Sequence, residues 1–366
     1  MNRAVIIEAK RTPIGKKSKM LQSYQPHELM APILSYLSKE ITSHIQDVIL
    51  GNVVGPGGNM ARLSALEAGL PLSIPGMTID RQCSAGLEAV RTACYYIQGG
   101  AGTCYIAGGV ESASTSPYQS RARFAPDSIG DPDMGLAAEY VAKEYKIKRE
   151  MQDEYALLSY ERSWNAYNQG LFIPEIIAVD EHENDEAFTQ KRDMKRMINR
   201  AKAIFVREQG TVTITNSCGI NDGASAIVVM EEKLANELNL QSVLRFIDSV
   251  VTGVHPHFPA ISPVSAIKQL LERNRLSISD IDLFEINEAF AVKIVACAQE
   301  LHIPFEKINV CGGALTIGHP YGASGAMLVT RLFHEVQRRP NSKYVIAAIG
   351  SGGGIGLATL FEVIHT

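Results

Sequence analysis

The sequence predicts an α/β protein built from two related halves with a segment of different character inserted between them. Three observations predict it. Runs rich in β-branched residues alternate with helical runs rich in small residues, the pattern of strands connected through helices. Two pairs of segments resemble each other at nearly one spacing: IQDVILGNV at 45–53 with ISDIDLFEIN at 278–287, and DRQCSAGLEAV at 80–90 with GHPYGASGAML at 318–328, with Asp47 matched to Asp282 and Cys83 to His319 at offsets of 235 and 236. Residues 113–206 stand apart, rich in charge, proline and tyrosine.

Two local matches at one offset point to duplication of a βαβ-containing unit. The expected domains are an N-terminal half over 1–112 plus 207–238, an inserted loop domain over 113–206, and a C-terminal half over 239–366. Strands are expected at 4–8, 47–54, 77–80, 103–107, 210–215, 226–230, 282–285 and 343–349, where β-rich runs are bounded by turn residues. Within the insertion, MQDEYALLSYERSWNAYNQG places Tyr155, Leu158, Ser159 and Arg162 at helical spacing and ends on Gly170, a natural stop. The basic run TQKRDMKRMINRAK that follows is either a solvated helix face or a contact for a ligand phosphate.

Composition narrows the function. The 366 residues are 46% hydrophobic and 20% charged, as in a soluble globular protein, and a formal net charge of -4 gives no general attraction to nucleic acid or an anionic membrane. The opening MNRAVIIEAKRTPIG is too short in apolar residues and too charged for a signal segment, and no stretch reaches the roughly 18 apolar residues of a membrane span, so a cytoplasmic location is expected. The six cysteines form no CxxC pair and have no His-x3-His partner, which argues against a zinc site and a disulfide framework.

One cysteine is placed for chemistry. Cys83 lies between an expected strand and a helix, where the helix dipole and unpaired N–H groups would lower its pKa; the other reading is a thiol that only packs. His319 stands in GGALTIGHPYGASGAM, among glycines that let other groups approach the backbone. Duplication would set the Cys83 and His319 segments at equivalent points of the two halves, giving a Cys-His arrangement suited to acyl transfer. Asn287, at the end of an expected strand, could hold a water or a developing oxyanion, or could cap a helix. The glycine run GSGGGIG at 350–356 fits neither a dinucleotide fingerprint nor a P-loop. Beside a reactive cysteine its N–H groups could form an oxyanion hole.

Taken together, RTPIG, GNVVGPGGNMAR, RQCSAGLEA, AGGVES, MGLAAE, NSCGINDGA, INEAFA, GGALTIGHPYGASG and GSGGGIG, in that order along nearly the whole chain, resemble the thiolase family. The resemblance implies a five-layer α-β-α-β-α fold of two duplicated halves with a loop domain inserted in the first. It implies that Cys83 takes an acyl group from acyl-CoA as a thioester, that His319 accepts its proton and later helps to bind the thioester oxygen of the second substrate, and that Asn287 positions a water in that oxyanion hole. The Cys83 and Gly352 N–H groups would form a second hole, and Met134, Cys218, Gly219, Ala289 and Phe290 would contact substrate. No metal or redox cofactor is implied; CoA arrives as substrate and leaves as product, in fatty acid and lipid metabolism.

The chain departs from the family pattern at Gly350, where members with NEAF usually carry a second cysteine that moves the α-proton of the second acyl-CoA. Glycine has no group able to do so. Cys311 and Cys218 are the conceivable substitutes, at positions where the family usually has Asn and Ser, and Pro259 stands where a pocket Met is frequent. The short segment between AGGVES and MGLAAE lacks residues that often make a tetramer contact, so a homodimer is expected. Three activities follow as alternatives: thiolysis or condensation of 3-ketoacyl-CoA, acyl-CoA hydrolysis or acyl transfer without the carbon–carbon step, and acyl-CoA binding without chemistry.

Overall fold

The computed structural model describes residues 2–365. Its strands are β1 Ala4–Arg11, β2 Gly15–Lys16, β3 Asp47–Gly51, β4 Gly76–Ile79, β5 Cys104–Ser112, β6 Asn221–Glu231, β7 Leu244–Gly253, β8 Leu283–Ile286, β9 Tyr344–Ser351 and β10 Ile355–Val363. The helices are α1 Pro26–Ser38, α2 Met60–Glu67, α3 Ala85–Gln98, α4 Met134–Glu144, α5 Arg149–Asn168, α6 Met194–Arg200, α7 Glu232–Glu237, α8 Ser262–Asn274, α9 Ala291–Leu301 and α10 Tyr321–Val336. Among the described residues no helix is long and apolar enough to cross a membrane.

Strand order displays the duplication. Outward from β1 the order is β6, β5, β3, β4, and outward from β7 it is β10, β9, β8, followed by a parallel bridge from Phe284 to Ile308 where a fifth strand would lie. Each half makes two antiparallel pairings and then parallel ones. The halves join at β1 and β7 through the pairs Val5–Arg245 and Ile6–Leu244.

Side chains sort into layers because successive residues of a strand face opposite ways. In β9, Val345, Ala347 and Ile349 pack with α3 and α10 in a central layer between the sheet halves, whereas Ile346 and Ala348 face α8 and α9 on the outside. The helices α1 and α2 cover the outer face of the other half through Leu29, Met30, Ile33, Met60 and Ala65. The result is α-β-α-β-α.

Three strands, the two-residue β2 and the long β7 and β10, are additional to those expected from sequence. The expected strand at 210–215 is absent: its β-branched residues lie in a loop because side chains take its backbone groups. Glu139 accepts from the Thr211 and Val212 N–H groups at 2.9 Å, and Asn216 Oδ1 accepts from Thr213 N–H at 2.8 Å. The expected helix at 151–170 is α5, with Tyr155 and Ser159 buried and Gly170 in the left-handed region at φ 69°. The basic run forms α6, no residue of which is buried.

The inserted segment is fastened to the core by buried charge. The Arg11 guanidinium donates to both oxygens of Asp185 at 2.6 and 2.9 Å and to Glu175 at 2.6 Å, and Arg331 of α10 reaches Glu175 at 3.0 Å. Removing one member strands the others in a place without water. Arg11→Met is therefore expected to lower the unfolding free energy by about 3–5 kcal/mol, read as a lower urea midpoint; an unchanged midpoint would show that the insertion is held by other contacts.

Candidate active site

The starts of α3 and α10 approach until backbone touches backbone. A Cβ on Gly86 would lie 2.5 Å from the Gly322 carbonyl oxygen, one on Gly109 would lie 1.9 Å from the same atom, and one on Gly325 would lie 2.4 Å from the Leu87 nitrogen. Only glycine allows this contact. It sets the segment that carries Cys83, two residues before α3, beside the segment that carries His319, two residues before α10, and the Lys293 charge bears on both side chains. Glu111, fully buried at the end of β5, accepts from the Val54 and Gly322 N–H groups, both at 3.0 Å, and so fixes the start of α10 to the N-terminal half.

Cys83 follows Gln82, which sits at φ 51°, so the chain turns sharply into the helix and leaves the thiol half-buried. The expected lowering of its pKa is not what the surroundings give. Burial pushes the thiol up to about 11, against smaller opposing effects of the nearby Lys293 charge and the residue's own N–H. His319 moves the other way: it is 2% exposed, and burial with the Lys293 charge brings it down to about 3. The resting pair is a neutral thiol and a neutral imidazole.

Hydrogen bonds fix which imidazole nitrogen is free. The Ser324 hydroxyl donates its one hydrogen to the Pro320 carbonyl at 3.0 Å, so at 2.6 Å it accepts from Nδ1–H of His319. Nε2 thus carries a lone pair, with the Asn287 amide 3.5 Å away. Asn287 is buried and its own N–H donates to Ala348; the N-cap of α9 is Phe290, so Asn287 does not cap that helix. The neighbouring Glu288 accepts from Tyr155, Ser159 and Asn309, tying α5 to the C-terminal half.

Residues 217–221 run between these parts. Ser217 bridges to Phe290, Cys218 N–H donates to Ala289 O at 3.0 Å, Ile220 bridges to His319, and Asn221 Oδ1 accepts from His319 N–H at 3.0 Å. Gly219 lies in the same stretch. The Phe205 ring occupies the space beside Gly135, next to Met134, and stands edge-on to Phe290 with ring centres 6.3 Å apart. The five residues expected at the substrate therefore lie along one connected wall.

The glycine run closes the other side. Ser351 faces the central layer and hydrogen-bonds Ser84 at 2.5 Å, bringing the run next to Cys83. Gly353 and Gly354 both sit at φ 79°, and Gly352 is so close to the Phe124 ring that a Cβ there would lie 2.7 Å from it. Gly350 faces the opposite way. A Cβ there would lie 2.6 Å from both the Pro259 carbonyl oxygen and the Ser262 hydroxyl, so neighbouring backbone already fills the place of a side chain.

Of the two cysteines considered as substitutes, Cys311 points away: its thiol donates to Glu335 at 3.2 Å among Tyr160, Trp164 and Ile317. Cys218 is near Cys83, but burial pushes its thiol up to about 12. Two cleft side chains were passed over in the sequence. Ser324 gave no signal within a run of small residues, whereas Lys293 is the single charge between Glu288 and Glu300, in an apolar helix.

Comparisons with known proteins find relatives over the whole chain. Residues 4–233 match the family model "Thiolase, N-terminal domain" and residues 240–363 match "Thiolase, C-terminal domain". The chain is 62% identical over 361 residues to "Putative acetyl-CoA C-acetyltransferase YhfS" of Bacillus subtilis, covering 99% of each chain. It is 46% identical over 383 residues to "Putative acetyl-CoA C-acetyltransferase VraB" of Staphylococcus aureus, again over 99% of each. The crystal structure of the Bacillus anthracis acetyl-CoA acetyltransferase superposes with a TM-score of 0.93 at 36% identity, covering 100% of this chain and 99% of that one.

Two outcomes are expected. Without substrate, the rate of Cys83 alkylation by iodoacetamide should rise about tenfold per pH unit from about pH 7 to about pH 10; a plateau at neutral pH would show a preformed thiolate. Gly350→Ala should destabilise the fold by about 1–3 kcal/mol through overpacking, and an unchanged thermal midpoint would show that the 259–262 backbone yields freely.

Proposed function

The chain belongs to the thiolase family, and on that premise we propose that it moves acetyl or longer acyl groups between CoA thioesters through an acyl-enzyme at Cys83. In this reading it cleaves acetoacetyl-CoA or another 3-ketoacyl-CoA with free CoA, or runs the reverse condensation. The observation that carries the reading is a partly buried Cys83 at the start of α3, joined through the Gly86–Gly322 contact to the start of α10, where a neutral His319 has no proton on Nε2.

Chemistry then follows from the protonation states. Cys83 keeps its proton until a thioester carbonyl is bound, and gives it up as sulfur attacks the carbonyl carbon, with His319 Nε2 as acceptor. Negative charge develops on the carbonyl oxygen, which the Cys83 and Gly352 N–H groups stabilise. The protonated imidazole passes its proton to the departing CoA sulfur, leaving acyl-Cys83. For the second substrate, Asn287 with its water and His319 hold the thioester oxygen. The reaction requires CoA thioesters and no further cofactor.

A second reading is favoured by one observation. The space beside Gly350 is filled by the Pro259 carbonyl and Ser262, so no side chain at 350 takes part. On that reading the acyl group goes from Cys83 to water or another acceptor, without carbon–carbon chemistry. Both readings share the acyl-enzyme.

Purified protein mixed with acetyl-CoA and quenched in acid is expected to gain the mass of one acetyl group on the peptide carrying Cys83, and Cys83→Ala is expected to gain none. Acetoacetyl-CoA thiolysis in the same wild-type sample selects the first reading. Unmodified Cys83 with bound acetyl-CoA would overturn both in favour of a binding protein.

A further inference from the structure

Making or breaking a carbon–carbon bond at the carbon beside a thioester requires a proton to leave or rejoin that carbon, and Gly350 offers no group for it. Resting on the thiolase reading above, we propose that Lys293 is the base that takes this proton in condensation and returns it in cleavage.

Its position carries the proposal. Lys293 projects from the first turn of α9 and is 2% exposed, among the largest fully enclosed side chains of the protein. Its amine donates to the carbonyl oxygen of Gly350 itself at 3.3 Å. Strand alternation explains the meeting: Ser351 faces α3, while Gly350, on the face of Ala348, opens toward α8 and α9. Among the described residues no carboxylate pairs with the amine. The groups that bear on it are three thiols, Cys297 one turn along α9, Cys83 before α3 and Cys218 before β6, together with the His319 imidazole. A buried lysine without a counter-ion is costly to the fold and gains nothing for packing that a methionine would not supply.

The same surroundings make it a usable base. Burial brings the amine down to about 8, so near neutral pH both of its forms are available. The neighbouring thiols lie far from that range, Cys218 and Cys297 each being pushed up to about 12.

In condensation the neutral amine takes a proton from the α-carbon of the second acyl-CoA, and the C–H electron pair passes into the enolate. The α-carbon then bonds to the carbonyl carbon of acyl-Cys83, the C–S bond breaks, and the released thiolate takes the proton back from the ammonium. In cleavage the Cys83 thiol gives its proton to His319 as sulfur attacks the 3-keto carbon, and His319 passes it to the neutral Lys293 amine; the carbon–carbon bond breaks with its electron pair entering the enolate, and the Lys293 ammonium protonates the new α-carbon. Protons and electrons balance in each direction without an added reagent.

Lys293→Gln tests this, because the amide keeps an N–H for the Gly350 carbonyl and loses the basic nitrogen. Three quantities are read on wild type and variant: acetylation of Cys83 by acetyl-CoA, acetoacetyl-CoA thiolysis, and loss of α-hydrogen from acetyl-CoA in D2O. The variant is expected to acetylate Cys83 within about tenfold of the wild-type rate, the change reflecting the loss of the Lys293 charge beside the thiol, and this acetylation also reports that it is folded. Thiolysis and hydrogen exchange should each fall by about 100- to 10,000-fold. Wild-type hydrogen exchange should rise with pH through a group near 8 that is missing in the variant. Turnover within about threefold of wild type would overturn the proposal, since loss of a general base costs far more. An equal loss of Cys83 acetylation would also overturn it, by showing that Lys293 serves the thiol. Failure of the thiolase reading is seen separately, as wild-type Cys83 that never becomes acetylated.

Discussion

The Gly322 carbonyl oxygen lies where the Cβ atoms of residues 86 and 109 would be, and the rest of the site depends on that contact. It lets two helices from different halves start side by side, so that residues 236 positions apart in the chain share one cleft. A methyl group on either glycine would push α3 and α10 apart. Glu111 holds the contact from beneath, with one carboxylate accepting N–H groups from both halves. Its own burial raises it to about 8, so the backbone N–H groups around it are what make its place in the interior tolerable.

Dryness governs the chemistry of the cleft. The same burial raises the Cys83 thiol, lowers the His319 imidazole and lowers the Lys293 amine, because each charged form loses its water. Cys83 and His319 are thereby kept neutral until a substrate carbonyl arrives, while Lys293 is left with both of its forms available near neutral pH. This reverses the expectation drawn from the helix start alone: the Lys293 charge and the residue's own N–H lower the Cys83 thiol, but burial raises it more.

Much of the fold was legible because the duplication repeats its signals. The acidic turn, apolar strand and asparagine at 45–53 return at 278–287, and each copy becomes a strand at the same place in its half, β3 and β8. Strand β10 was hidden by the glycine run before it, and the stretch 210–215 misled because Glu139, far away in sequence, and Asn216, immediately after it, take the hydrogen bonds a neighbouring strand would have taken. In the site, Cys83, His319 and Asn287 were marked by glycines and strand ends. Ser324 was invisible: its part is to fix a tautomer, and no local pattern records a hydrogen bond of that kind. Lys293 was visible as a lone charge in an apolar helix, but what it meets, the Gly350 carbonyl, depends on tertiary packing.

Gly350 has a consequence for substitution. Because the Pro259 carbonyl and the Ser262 hydroxyl now stand where a side chain would begin, the glycine is locked in by its neighbours. A side chain introduced at 350 would meet those atoms, and residues 259–262 would have to move to admit it. The residue at 350 and the backbone facing it can therefore change only as a pair.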